Sequence, residues 1–307
     1  MFHRTIFYRI LFPAFIALVM FSGCGKKQID IEAHKKEIQE WQQKRITRLT
    51  RNDGWLTLCG LFWLKEGENT FGGDSSNVVI FPPAKAPKIA GSLLLDHGIV
   101  QLHAKPGADV RWNDSLITTI EMKSDADTAG PTIIHIGTVS FYVIKRGDQV
   151  GVRMKDKENY ARTHFKGLEY FPIDPKWRIE AKFEPYIPPK MIPIATMINT
   201  VDTNQCPGAL VFDVDGKQCR LDVVVEQGSE DQFFIMFADE TSGKETYGNG
   251  RQLYTSLPDS NKTVVLDFNK AYNWPCVFTV FATCPIPPRQ NHLPFRVEAG
   301  EKMYTGH

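Results

Sequence analysis

The sequence is short of most features that would declare a chemistry. It has no charge excess: 36 Lys and Arg stand against 35 Asp and Glu, a net charge of +1, so it lacks the basic footprint that draws a protein to nucleic acid. No Walker loop and no run of alternating aromatic and basic residues occurs either, and nucleic acid is not an expected partner. Cysteine is scarce, six residues in 307, and none sits in Cys-x-x-Cys spacing. No His-x-x-x-His occurs, which leaves a zinc site without local support and gives no reason to expect a cofactor or metal. Gly-x-Ser-x-Gly is absent, so no Ser is bracketed as a nucleophile elbow requires. Asp213-Val214-Asp215-Gly216 has the start of a calcium loop without its third acid or distal Glu, and a hairpin turn accounts for it better. The N-terminal apolar run, Ile10 to Phe21, is shorter than the roughly 20 residues of a permanent membrane span.

What stands around that run is informative. His3, Arg4 and Arg9 precede it, and the small residues Ser22 and Gly23 follow it, directly before Cys24. Basic, apolar, then small is the order of a secretory signal. Phe21-Ser22-Gly23-Cys24 resembles the bacterial lipobox, with Phe where Leu is usual. The resemblance implies a signal peptide over residues 1–23, cleavage before Cys24 and lipidation of that Cys. The expected location is the cell envelope, with the protein held to a membrane by its acyl chains and facing the periplasm or the cell exterior. Several chains buried at roughly 0.8 kcal/mol per methylene make a stable anchor. Five Cys remain: Cys59, Cys206, Cys219, Cys276 and Cys284. An odd count in an oxidising compartment leaves at least one thiol free or buried. A two-residue turn at Asp215-Gly216 sets Cys219 opposite Phe212. If Val277 to Phe281 is a strand, Cys276 and Cys284 lie too far apart to bridge; if it loops, a disulfide is open to them.

From Asp30 to Arg51 the chain is highly charged, free of Gly and Pro, with Ile31, Ile38, Trp41, Ile46 and Leu49 at roughly helical spacing. That predicts an amphipathic helix, or a helical tether over residues 24–53 between lipid and folded body. Beyond Gly54 short runs of Val, Ile, Phe and Thr alternate with Gly, Pro, Asn and Asp, the pattern of an all-β protein. Strands are expected at Trp55 to Leu64, Val139 to Lys145, Gln149 to Met154, Ala209 to Val214, Cys219 to Val225, Val277 to Phe281 and Phe295 to Ala299, among others. The polar stretch from Lys155 to Pro175 divides them into two β-sandwich-like domains, 54–160 and 161–307. Pro185-Tyr186-Ile187-Pro188-Pro189 reads as a stiff elbow.

Two resemblances extend this reading. The first half, through Leu64-Lys65-Glu66-Gly67-Glu68-Asn69-Thr70-Phe71-Gly72, Asn77-Val78-Val79-Ile80, Ala90-Gly91 and Gly137-Thr138-Val139-Ser140-Phe141, resembles a forkhead-associated domain. The resemblance implies an eleven-stranded β-sandwich whose end loops bind phosphothreonine. Such loops use an Arg and a Ser-Arg pair for bidentate phosphate contacts; Gly73-Asp74 and Pro87-Lys88 stand there instead, so phosphopeptide binding is not expected. The mature chain as a whole resembles the bacterial domain-of-unknown-function family 1684. Its opening Trp-Leu-x-Leu-x-Gly-Leu-Phe-Trp-Leu is matched by Trp55 through Leu64. Its C-terminal pattern is matched by Phe237-Ala238-Asp239-Glu240-Thr241-Ser242-Gly243, Thr246-Tyr247, Gly250-Arg251, Leu266-Asp267-Phe268-Asn269, Tyr272-Asn273, Cys276, Cys284-Pro285 and Ala299-Gly300-Glu301-Lys302. This resemblance implies an exported protein and no known reaction.

Asp239 to Asn273 gathers groups that are costly to hide in a β core. Asp239, Thr241, Tyr247, Arg251, Asp267, Asn269 and Asn273 form the candidate ligand site, with Tyr272 beside them. Alternation in Leu266-Asp267-Phe268-Asn269 puts Asp267 and Asn269 on one face, where Asp267 is the expected partner of Arg251. Turn-forming Asp, Thr, Asn and Gly favour the other reading of the same residues, a structural network in which an Arg pinned to an Asp fastens loops to a sandwich. Two further groupings are open: Cys276, Cys284 and His292 as three metal ligands, and His164 with Asp156, Arg153 and Arg162 in the polar stretch between the halves, where a carboxylate-tuned His suits a general base. The expected function is a non-catalytic, lipid-anchored envelope protein that binds a small polar ligand or a protein partner. The alternative is a hydrolase-like enzyme centred on Asp239, Arg251, Asp267 and Asn269.

Overall fold

Beyond Met1, the computed structural model describes residues 30–226 and 228–306; the segment expected to be a signal peptide, after Met1, and Cys24 lie outside the described residues. Helix α1 (Ile31–Thr50) opens the described chain, its N-terminus capped by Asp30, whose carboxylate accepts from the backbone N–H groups of Glu32 and Ala33. Such a cap satisfies donors that the first turn leaves without partners. Among the described residues no helix is long and apolar enough to cross a membrane.

The first domain holds eleven strands: β1 (Leu58–Trp63), β2 (Gly67–Gly72), β3 (Val79–Ile80), β4 (Gly91–Asp96), β5 (Ile99–Ala104), β6 (Arg111–Trp112), β7 (Ser115–Leu116), β8 (Thr119–Met122), β9 (Ile134–Ile136), β10 (Val139–Arg146) and β11 (Gln149–Asp156). They form one sheet in the order β1-β11-β10-β9-β6-β7 and another in the order β3-β2-β4-β5-β8. Between them lies a core that includes Phe71, Phe81, Leu93, Leu102, Phe141, Val143, Val152 and Met154. Side chains alternate across a strand, so with Val139, Phe141 and Val143 of β10 and Val150, Val152 and Met154 of β11 turned inward, Tyr142, Ile144, Arg146, Gly151, Arg153 and Lys155 share the outer face. Antiparallel register sets Tyr142 opposite Arg153 and Ile144 opposite Gly151. That outer face meets the second domain, and Ile144 on it is fully buried.

A one-turn helix α2 (Tyr160–Thr163) leads to the second domain: β12 (Arg178–Ala195), β13 (Val201–Val214), β14 (Lys217–Val223), β15 (Gln232–Phe237), β16 (Arg251–Ser256), β17 (Thr263–Asp267) and β18 (Tyr272–Asn273). One sheet runs β14-β13-β12-β17 and the other β15-β16-β18. Their core includes Trp177, Leu210, Phe212, Leu221, Ile235, Phe237, Leu253, Leu266 and Phe268. The expected elbow at Pro185–Pro189 is an irregularity inside a long strand: β12 pairs with β13 on either side of a register shift between Pro185 and Lys190, where the prolines cannot donate to a ladder. The Asp215-Gly216 turn, both residues at positive φ, sets Phe212 opposite Cys219 as its register requires.

Two expected strands are absent. Pro275 starts a 3-10 turn, Pro275–Val277, and the chain then doubles back, leaving Val280 89% exposed and bringing the backbone N–H of Cys276 to within 3.2 Å of Cys284 Sγ. An apolar run of this length does not distinguish strand from loop. Phe295 to Ala299 is irregular because its carbonyls serve a side chain: Val297 O and Ala299 O both accept from the Arg251 guanidinium, which takes the place of a neighbouring strand.

Helix α1 is docked rather than solvated. His34, Ile38, Arg45 and Leu49 are buried, and that spacing keeps one face of a helix. His34 Nε2 lies 2.7 Å from Asp267 Oδ2. Arg45 donates from Nε to Glu301 Oε1 at 2.9 Å and from Nη2 to Asn273 O at 3.0 Å. Trp41 packs on Tyr272, and Arg45 lies over the same ring. The helix thereby belongs to the second domain while its far end reaches the first.

Candidate functional site

The residues singled out in the second domain form a buried hydrogen-bonded network, not an open pocket. Asp239, at the end of β15, accepts from Thr241 N at 2.7 Å and Thr241 Oγ1 at 2.6 Å through Oδ1, and from Arg251 Nη2 at 2.8 Å through Oδ2. Thr241 Oγ1 also meets Thr246 Oγ1 at 2.9 Å. Arg251 is fully buried and lies over the Phe237 ring at 5.3 Å. The expected pairing of Arg251 with Asp267 is therefore incorrect. Asp267 ends β17 and points to His34 of α1 and to Arg178, while its Oδ1 accepts from Asn269 N. The reason is local: the chain leaves the extended conformation after Asp267 for a 3-10 turn, Phe268–Lys270, so the alternation predicted for Leu266 to Asn269 stops and all four are buried. Asn269 bonds to the backbone of Asp174 in both directions. Asn273 accepts from Arg45 of the helix through its carbonyl, donates its N–H to Glu301 Oε2 and donates from Nδ2 to Lys302 O. Tyr247 is half-buried and accepts from Asn249 Nδ2; burial raises its phenol pKa. These contacts bind Asp239, Thr241 and Arg251 into one group, joined to Asn273 because Glu301 accepts from Arg251 Nη1 through its carbonyl and from the Asn273 N–H through Oε2; Asp267 and Asn269 form a second group, and Tyr247 stands apart.

The other two groupings do not assemble. His292 is exposed, and Cys276 and Cys284 converge with no third metal ligand among the described residues. The one convergent set there is Glu66, Asp96 and His97, all exposed, and Glu66 already accepts from the His97 backbone. Of the interdomain quartet, Arg162 is spent on Thr50 O, Lys157 O and Asn52 Oδ1, His164 is exposed and stacked on Tyr160, and Asp156 faces Lys85 at 3.5 Å. Arg153 alone of the four reaches a cleft.

That cleft, about 500 Å³ in volume, opens where α1, the outer face of the β10–β11 sheet and the second domain meet. Strands β10 and β11 contribute Arg146 and Arg153; α1 contributes Arg45 and Arg48; β15 and β16 contribute Phe234, Gln252 and Tyr254; and Trp55, Tyr272, Trp274, Thr283 and Cys284 complete the walls. Phe234 stacks on Tyr254 and meets Trp274 edge-on. Tyr254 donates its hydroxyl to Glu226 Oε2, and burial holds this phenol protonated. The phenol pKa of Tyr272, partly buried, is pushed up to about 12 by burial, with Arg45 pulling the other way. Arg153 is 4% exposed, lies 5.5 Å from the Trp55 ring centroid and donates from Nη2 to Thr283 Oγ1 at 3.1 Å. Its Nε and the Trp274 Nε1, both buried, have no acceptor among the described residues. Each such donor costs free energy unless something else satisfies it.

Cys284 lines the cleft, and Cys276, which does not, lies beside it with both thiols free. A hydrogen bond from Cys284 holds the Cys276 thiol below its ordinary range, and the same bond, with burial, drives Cys284 upward. Cys59 is pushed up to about 12 by burial. In the first domain, the loop of Asp74 lies beside Pro87-Lys88, with Gly73 N donating to Pro87 O and Asp74 N to Lys88 O. The carboxylate of Asp74 is turned onto Ser76 N.

Residues 163–302 match the model of a family described as "Protein of unknown function (DUF1684)". The match takes in the second domain, both buried groups and the Cys276–Cys284 loop, whereas the Trp55 to Leu64 motif and the first domain lie outside it. No curated protein matches the chain. A similar solved structure is the solution NMR structure of an uncharacterized protein from gene locus rrnAC0354 of Haloarcula marismortui. It is 28% identical, with the alignment covering 48% of this chain and 82% of that one, at a TM-score of 0.40.

Proposed function

We propose that the protein is a lipid-anchored binding protein of the cell envelope that holds a small polar ligand in the cleft between its domains. The observation that carries this is Arg153, a buried guanidinium that lines the cleft without a carboxylate partner. Clefts at domain interfaces with apolar walls and a few convergent polar groups are the usual form of small-molecule sites, which span roughly 300–1,000 Å³. The buried network around Arg251 is the scaffold in this reading: it fixes β16 and the 297–301 segment, and through Asn273 and Asp267 it seats the helix that forms one wall.

Trp55 and Trp274 line the cleft and report on it. Screening a metabolite library by tryptophan emission should yield ligands that also raise the melting temperature. Arg48→Trp, a bulky change on the exposed helix surface at the cleft mouth, should abolish both signals without lowering the melting temperature. Ligands whose signals survive Arg48→Trp, or a library without a ligand, would contradict the proposal. The anchor rests on the Phe21-Ser22-Gly23-Cys24 pattern, and Cys24→Ala should leave an unprocessed precursor or release the protein from membranes; lipid-labelled mature protein in the membrane fraction of that variant would contradict it.

A further inference from the structure

We infer that the ligand of this cleft is a monocarboxylate with an apolar body, its head group held by Arg153; this rests on the cleft being the binding site. The charge follows from counting partners. Five arginines line the cleft, and three have acids of their own: Arg45 with Glu301, Arg51 with Asp53, and Arg146 with Asp125. Of the remaining two, Arg48 is exposed and shares the cleft with Glu226, so the pair offset each other in solvent. Arg153 is left as the one buried charge in the cleft without a carboxylate. An uncompensated buried charge is costly, and a buried guanidinium keeps its proton rather than neutralise. One net positive charge is complementary to one negative charge, whereas a phosphate dianion would need a second cation in the cleft; Lys155, the cation near Arg153, does not line the cleft and donates from Nζ to Asp53 O.

The head-group geometry follows from the guanidinium itself. Nη2 of Arg153 is engaged with Thr283, while Nη1 makes no hydrogen bond among the described residues. A planar guanidinium presents paired N–H groups to a planar carboxylate in a bidentate fork, a match that a Lys ammonium does not offer. Trp55 lies across this guanidinium and keeps it in place. The body of the ligand follows from the walls: Trp55, Phe234, Tyr254, Tyr272 and Trp274 present ring surface that gains free energy by excluding water.

Calorimetry on the full-length lipidated protein in detergent separates the possibilities. The probes are benzoate, 3-phenylpropionate, indole-3-acetate and hexanoate, each beside its neutral primary amide, together with inorganic phosphate. At least one acid should bind at least tenfold more tightly than its amide, and phosphate should bind more weakly than that acid. Arg153→Gln should remove the preference for the acid while leaving the amide's affinity unchanged, which shows that the variant is folded and the cleft intact. Equal binding of acids and amides would overturn the carboxylate assignment and leave the cleft as the binding site. Arg153-dependent binding of phosphate above every acid would overturn it in favour of a phosphate group. Binding of neither acids nor amides would overturn the assignment together with the reading of the cleft it rests on.

Discussion

Arg251 and Arg153 are the same residue in nearly the same setting, and the molecule treats them differently. Both are buried, both lie over an aromatic ring, at 5.3 Å for Phe237 and 5.5 Å for Trp55, and both leave Nε without an acceptor among the described residues. What separates them is the counter-charge. Arg251 has the Asp239 carboxylate and the carbonyls of Val297 and Ala299; Arg153 has a threonine hydroxyl and the wall of a cleft. A buried charge whose partners are all internal fastens a fold. One left without a counter-charge beside a cavity gives up stability for recognition, a pattern common at functional sites.

The comparison makes predictions of graded size. Arg251→Ala should destabilise by about 3–5 kcal/mol in urea melts, because Asp239 is left as an uncompensated charge. The double mutant with Asp239→Ala should show coupling, whereas Arg251→Ala with Asp267→Ala should be closer to additive, since those two residues have separate partners. Coupling with Asp267 and none with Asp239 would reverse the assignment. Arg45→Ala should cost about 3 kcal/mol, at the lower end for a broken buried pair, since Glu301 keeps the Asn273 N–H. Hydrogen exchange should then show α1 losing protection ahead of both sandwiches; a helix that exchanges freely in the parent protein would mean that it is not docked.

A smaller contrast concerns the thiols. The thiolate is the reactive form, so with Cys276 held below its usual range and burial pushing Cys59 up to about 12 and Cys206 to about 11, iodoacetamide at pH 8 should label Cys276 first. Lowering the pH should slow that labelling as the thiolate is protonated, and Cys59 reacting at a comparable rate would contradict the ordering. In the first domain the expected effect is nil: Asp74 beside Pro87-Lys88 offers no bidentate donor, and phosphothreonine peptides should show no phosphate-dependent binding in calorimetry. Micromolar affinity would mean that another loop supplies the donors.

How far these features were visible in the sequence follows from the kind of order each one has. Alternation is local, so β4, β5, β10 and β11 emerge from their own residues, and the polar density between Asp239 and Asn273 identified groups that are indeed engaged. Their partners are not local. Asp239 lies twelve positions before Arg251 and nothing in the spacing prefers it to Asp267, while His34 and Arg45 are polar members of a helix whose predicted packing face was drawn from its apolar residues alone. The cleft left a fainter signal. Arg146, Arg153 and Lys155 fall on the outward positions of two strands whose inward positions from Val139 to Val143 and from Val150 to Met154 are apolar, and the β10–β11 hairpin register was enough to put them on one face. That a second domain covers this face is a tertiary fact without a sequence pattern. The loop of Cys276 and Cys284 was hidden for the opposite reason, because Val277 to Phe281 carries a strand-like apolar run that Pro275 overrides.

The central claim, that Arg153 serves a ligand and Arg251 serves the fold, is tested most directly without any ligand by urea denaturation of Arg153→Met beside Arg251→Met. Methionine keeps an apolar stem in each place and removes the charge. The account predicts that Arg153→Met leaves stability within about 1 kcal/mol of the parent or raises it, because an unpaired buried charge has been removed, while Arg251→Met loses about 3 kcal/mol or more because Asp239 is stranded. Equal losses in the two variants would contradict it.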